Sequence, residues 1–421
     1  MAAWTATIAA RPARLARWLA ALTACLLLAA CGGTSRPSPS PTSSLTPTAT
    51  PTPQPLLVVL QPGSPDDVLR LVTLTGQEVT RTLVSRNVVI AGTTGDEVGF
   101  ADQGRMEALR TDGQVIQLGK LPGWKGGRVV LNPNGKDWVW TTYNQESGTS
   151  VHAFLYLDES IVADADEPPG HWLDPVAWTS QGVVLEEAML GLGGYLPYDL
   201  VTGPTLLVQP QQQTVGSAPK GRQLTTAACL YADLSGNGTV ACRVPGGSVE
   251  TTSVLQIQAP GGAPVSLPLP AGRFAAAGAI SFRPTQNATD APREAVVGGA
   301  TLAGANTGGQ GEVYETDLVN LQTRVLTPLS TPGLRPGAGS WAWISPTQVV
   351  CYRPAGAAGG APGIFIAGGS GPLQQVTSSG TPVGMIDQGA TSSPSPSPSS
   401  SLQPSPAPSG SGSPSPSANP L

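Results

Sequence analysis

The chain has 421 residues, with 22 Lys and Arg against 27 Asp and Glu, and a formal net charge of −5. Its lysines are few (Lys120, Lys125, Lys136 and Lys220), and no basic cluster follows the Pro-rich N-terminal stretch. That balance excludes nucleic acid as a partner, because no basic stripe exists to displace counterions from phosphates.

Residues 1–30 read as a secretory signal. Arg11, Arg14 and Arg17 precede an apolar stretch from Trp18 to Ala30 that is too short to span a bilayer. It ends in Leu28-Ala29-Ala30-Cys31, with small residues that fit a peptidase cleft and a thiol just after the cut. This pattern resembles the lipobox of bacterial lipoproteins. The resemblance implies that Cys31 becomes the lipidated N-terminus, so that the membrane is engaged through a lipid anchor on the outer face of the bacterial cytoplasmic membrane. Several acyl chains hold far more firmly than one.

Residues 31–55 form a Pro/Ser/Thr-rich linker after the cysteine. Nothing in it can build a core, and polyproline II at about 3.1 Å per residue would let residues 34–55 reach roughly 70 Å. Residues 389–421 repeat that composition without a charged side chain. Both terminal segments are expected to be disordered.

Residues 56–388 carry Pro and Gly too often for long helices, and short β-branched runs separated by turn residues predict an all-β domain. A strand–turn–strand unit recurs near residues 87, 129, 176, 229, 279 and 341. Examples are "NVVIAGTTGDEVGF", "VVLNPNGKDWVWTTY" and "VAWTSQGVVLEE". A second hairpin follows in several copies, as in "EALRTDGQVIQL" and "YLPYDLVTGPTLLV". Four strands every 40–60 residues is the period of a β-propeller blade. Seven blades of about 48 residues, or six longer ones, fit the segment. "LNPNGKDWVW" and "YDLVTG" resemble the blade repeats of TolB-like and WD40-like bacterial propellers, with Asn132 and Asn134 in place of Ser and Asp. A lipobox followed by such blades is similar to the propeller region of cell-envelope lipoproteins. To close the ring, the strand near Leu57–Leu60 is expected to pair near Ile364–Val376.

Within the domain, Cys229 and Cys242 flank Ser-Gly-Asn-Gly. A turn at Ser235 and Gly236 would set them opposite each other, within disulfide range in an oxidising compartment. The alternative is two buried thiols. Cys351 stays unpaired. "DLSGNG" places Asp233, Ser235, Asn237 and Gly238 as in a calcium loop, but Ala241 and Val244 fill the later ligand positions, so a hairpin turn is the reading. "YDLVTGPTLLV" partly resembles the docking motif of quinoprotein propellers, with Leu207 where that family has Trp. No metal ligand set and no cofactor motif is complete, and no Gly-x-Ser-x-Gly elbow occurs.

The acidic run "DESIVADADEPPGHW" reads as a solvated loop between blades, or as carboxylates serving His152 or His171 in acid–base chemistry. Trp138 with Trp140, Trp341 with Trp343, and Trp178 read as core between blades. Trp124, His171 and Trp172 fall in predicted loops and are the candidate ligand contacts. The expected function is a non-enzymatic binding or scaffolding module for a cell-envelope partner, protein or glycan. The alternatives are a carbohydrate- or wall-binding propeller, acting even as a lyase, and a structural spacer.

Overall fold

A computed structural model describes residues 54–146, 150–167, 171–189, 203–226, 228–244, 254–302, 312–329, 333–369 and 371–387. Residues 1–53 and 388–421, with Cys31 and both terminal segments, lie outside the described residues, as does most of "YDLVTG".

The described chain is a ring of seven antiparallel sheets, a seven-bladed β-propeller. Blade 1 runs outward from the channel as Val89–Thr93, Glu97–Asp102, Arg105–Arg110 and Val115–Lys120. Blade 2 is Val129–Leu131, Trp138–Glu146, Ser150–Leu157 and Ser160–Glu167. Blade 3 is His171–Thr179, Gly182–Met189, Leu206–Val208 and Gly221–Gln223. Blade 4 holds Leu230–Leu234, Val240–Val244, Val254–Gln258 and Val265–Leu267. Blade 5 holds Arg273–Phe282, Glu294–Leu302, Glu312–Asn320 and Leu326–Pro328. Blade 6 begins with the short strands Arg335–Pro336 and Trp343–Ser345. Both pair with Gln348–Arg353, and Gly363–Gly368 and Gln374–Thr377 follow.

Blade 7 is assembled from both ends of the described chain. Thr381–Ile386 supplies its inner strand, and Leu56–Gln61, Asp67–Thr73 and Glu78–Val84 the other three. The ring therefore closes on the N-terminal strand, but its hydrogen-bonded partner is Thr381–Ile386 rather than Ile364–Val376. Ile364, Ile366 and Val376 meet Leu57 and Val59 face to face across the blade interface instead. Pro382 and Gly384 make Thr381–Ile386 look like a turn in the sequence. The proline sits where the register shifts, an irregularity that tolerates a missing N–H.

Alternation of side chains builds the cores, which lie between blades. Leu56 and Val58 face blade 1, while Leu57 and Val59 face blade 6. Val183 and Leu185 pack on blade 2, and Val184 between them packs on Val240 of blade 4. Second strands are thus buried on both faces, and read as unbroken apolar runs such as "LLVVL". Each fully buried Leu or Val contributes about 1.5–3 kcal/mol.

The tryptophans divide. Trp138 and Trp140 share one cluster with Met106 and Leu121 of blade 1, and Trp178 packs with Val130 and Val139 of blade 2. Trp341 and Trp343 do not share a face. A 3-10 turn at Ser340–Ala342 sends Trp341 toward the blade 7 interface and Trp343 toward blade 5. The acidic run is a strand, not a loop, for Ser160–Glu167 forms the outer edge of blade 2 with Ala163 buried.

Candidate functional site: the channel mouth

The inner strands of blades 1 to 4 and 7 enclose a cavity of about 640 Å3. Aliphatic side chains such as Val89, Val129, Val176 and Val383 share its wall with polar ones, Arg128, Tyr231, Asp233, Thr93, Thr179 and Ser180 among them.

Arg128 stands just before the inner strand of blade 2 and is 40% exposed. Its Nε lies 3.4 Å from Asp174 and its Nη1 lies 3.6 Å from Glu186. Asp174 and Glu186 are direct cross-strand partners in blade 3, and each is only 3% exposed. Two carboxylates facing each other in an antiparallel pair repel. Burial raises Asp174 to about 6, against the opposing pull of Arg128. Burial likewise raises Glu186 to about 7, countered by the Tyr231 N–H and Arg128 and reinforced by Asp174. The pair thus titrates in the neutral range and can hold or release a proton beside the cavity.

Asp233 is also buried. It accepts the Leu234 N–H at 2.9 Å and the Phe282 N–H at 2.7 Å, which ties blade 4 to blade 5, while burial lifts its pKa to about 6. In the adjoining turn, Ser235 bonds Asn237 at 2.6 Å and Gly238 takes a φ of +86°, so "DLSGNG" is a hairpin turn. Among the described residues no group of three or more His, Cys, Asp or Glu could hold a metal ion.

Cys229 and Cys242 are joined as a disulfide with Cα atoms 5.7 Å apart. The pairing register is not the one a Ser235–Gly236 turn would set. Ser235 N–H bonds Thr239 across a longer turn, a bulge follows at Tyr231–Asp233, and Cys242 lies directly opposite Tyr231. Cys351 is a buried free thiol, and burial pushes it up to about 12.

The remaining sequence candidates do not converge on the channel. His152 sits on the outer half of blade 2, with Nδ1 2.7 Å from Asp166 and Nε2 3.0 Å from Asp164. The hydrogen bond to Asp166, foremost, raises its pKa, and a ring bonded to a carboxylate at each nitrogen is a double donor rather than a free base. Trp124 lies in the connection between blades 1 and 2. It packs beside their shared core and donates Nε1–H to Gly127 O at 2.8 Å. His171 and Trp172 belong to the inner strand of blade 3, not to a loop, and pair with Met189 and Ala188; their side chains lie outside the described part.

No family model matches the chain, and no curated protein matches it. Among solved structures it is similar to an oligogalacturonate lyase in complex with manganese, with 12% identity, TM-score 0.44, and 75% of this chain and 97% of that one covered. It is similar to an acylaminoacyl peptidase of Pyrococcus horikoshii, with 8% identity, TM-score 0.44, and 76% and 52% covered. A putative TolB from Agrobacterium tumefaciens overlaps at 8% identity and TM-score 0.37, over 70% and 93%. At these values the likenesses assign no activity to this chain.

Proposed function

We propose that this chain is an extracytoplasmic lipoprotein, tethered through Cys31, whose propeller binds a cell-envelope partner at the channel mouth. The observation that supports a binding module is the 640 Å3 cavity, whose wall mixes aliphatic side chains with polar groups around Arg128. Cys31→Ala should release the protein from membranes or leave an unprocessed precursor; unchanged fractionation with normal processing would remove the tether. In a pull-down from detergent-solubilised envelopes, the wild-type chain should recover a partner that Arg128→Glu loses. Equal recovery would move the site off the channel, and no recovery from either would favour a structural spacer. The Asp174–Glu186 pair is what favours the second reading, a propeller that acts on wall glycans by acid–base chemistry. Glu186→Gln would then abolish turnover while leaving binding.

A further inference from the structure

A second site lies away from the channel, along the outer strand of blade 3. Two cavities of about 440 and 410 Å3 adjoin at Arg222 and follow the chain from Lys220 to Thr226, between this strand and the turns of blade 4. Three independent features coincide there.

The first is a sheet edge to which no strand is paired among the described residues. The Leu224 N–H bonds Thr205 O at 2.8 Å, and Arg222 pairs with Leu207. In an antiparallel ladder the backbone groups of alternate residues point to opposite sides, so those of Gly221 and Gln223 point outward, away from the sheet. All three residues of the strand are exposed.

The second is charge. Lys220 and Arg222 both line the larger cavity, and among the described residues no carboxylate lines either one, in a chain whose net charge is −5. The outer strand of neighbouring blade 2 carries Asp164 and Asp166 instead, and that of blade 7 pairs its Arg81 with Glu78.

The third is pre-organisation. Gln181 Nε2 donates to Ser235 O at 2.9 Å and Gly236 O at 3.0 Å, while its Oε1 accepts from Arg222 Nη2 at 3.1 Å. Gln213 brackets the Lys220 backbone, accepting its N–H at 2.7 Å and donating to its carbonyl at 3.0 Å. The guanidinium and the strand that carries it are therefore set before any ligand arrives.

We propose that this groove binds an extended acidic peptide segment, added as a fifth strand to blade 3, with carboxylates at alternate positions meeting Lys220 and Arg222. Side chains two apart on a strand lie about 6.6–6.8 Å apart on one face, so the cations and alternate acids keep step. The alternative, that the cations only guard the edge against self-pairing, makes a different prediction.

The test titrates the full chain against a fluorescent, end-blocked seven-residue peptide alternating valine with glutamate. Saturable binding is expected, weakened at least ten-fold by Lys220→Glu with Arg222→Glu. The double variant should instead bind the peptide with lysine in place of glutamate. N-methylating alternate peptide nitrogens should abolish binding in one register and spare it in the other. No binding to the wild-type chain, equal binding to the double variant, or indifference to N-methylation in both registers would each overturn the proposal. The last outcome would mark a patch for polyanions rather than a strand site. Thermal unfolding of the double variant near the wild-type midpoint excludes misfolding as the cause of its loss.

Discussion

Blades 7 and 3 solve the same packing problem in opposite ways. Blade 7 has four strands of six or seven residues, and its second strand keeps Leu57, Val58 and Val59 wholly buried. Blade 3 has long inner strands but outer strands of only three residues, Leu206–Val208 and Gly221–Gln223. Residues 190–205 and 209–220 connect them. The ring puts its most regular sheet where two chain ends must find each other, since repeat units cannot bury their faces alone. Where continuity of the chain already secures the neighbours, the outer half of a blade is free to become a groove.

The largest expected effect comes from removing the closure. Deleting Thr381–Ile386 should abolish cooperative unfolding, and hydrogen exchange should accelerate across blade 7 and at Val350–Ile366 of blade 6. Protection retained in blade 6 would mean that the ring does not depend on that strand. Next, Leu57→Ala should cost about 2–5 kcal/mol by denaturant titration. Leu207→Ala, in blade 3 and 7% exposed, should fall at or below the low end of that range. Equal losses would erase the contrast between the two blades. The disulfide of blade 4 supports its weaker neighbour, since the Cys229 carbonyl accepts the Thr205 hydroxyl of blade 3 at 3.3 Å. Closing a loop of 13 residues restrains the unfolded chain, so Cys242→Ala should cost about 3 kcal/mol, with exchange rising first in Thr205–Leu224.

The pH response should be strongest around blades 3 and 4. Asp174, Glu186 and Asp233 have pKa values raised above those of the unfolded chain, to about 6, 7 and 6. Their contribution is complete below the unfolded values, near 4, and is lost as pH rises through 6 to 7. His152 acts with the same sign, because the hydrogen bond to Asp166, foremost, raises its pKa too. The melting temperature should therefore fall between pH 5 and pH 8 at constant ionic strength, and Glu186→Gln should flatten the upper part of that fall. A rise with pH would reverse the assignment. The smallest change is Gln181→Ala, about 1 kcal/mol for its bonds to blade 4, with blade 7 exchange unaffected.

The inner hairpins were legible because each pairs an apolar run with a polar turn, as "VVLNPNGKDWVWTTY" does across Asn132–Asp137. The outer hairpin of blade 2 was not, because Asp164 and Asp166 dominate its composition. Its period of two, with Ala163 and Ala165 between the acids, was the available signal. In blade 3 "YLPYDLVTGPTLLV" reads as a complete hairpin, yet Leu206–Val208 pairs with Gly221–Gln223 beyond it. A loop of that length hides the partner of a three-residue strand from any local pattern. The channel cluster was illegible for another reason. Arg128, Asp174 and Glu186 are scattered singly along the chain and meet only through register and the stacking of blade 2 on blade 3.

The pairing of Leu56 with Ile386 has a mechanical consequence. The strand that follows the N-terminal segment and the strand that precedes the C-terminal segment run antiparallel, and both segments attach at the same end of the pair. Tension applied between those two segments loads the ladder like a zipper, and rungs give way one at a time, starting at Leu56. Tension between the N-terminal segment and a partner gripping another blade pulls Leu56–Gln61 lengthwise, against Asp67–Thr73 and Thr381–Ile386 together. All rungs then share the load. A ring closed in this way yields easily to force across its own ends, and resists force between its N-terminal strand and another blade.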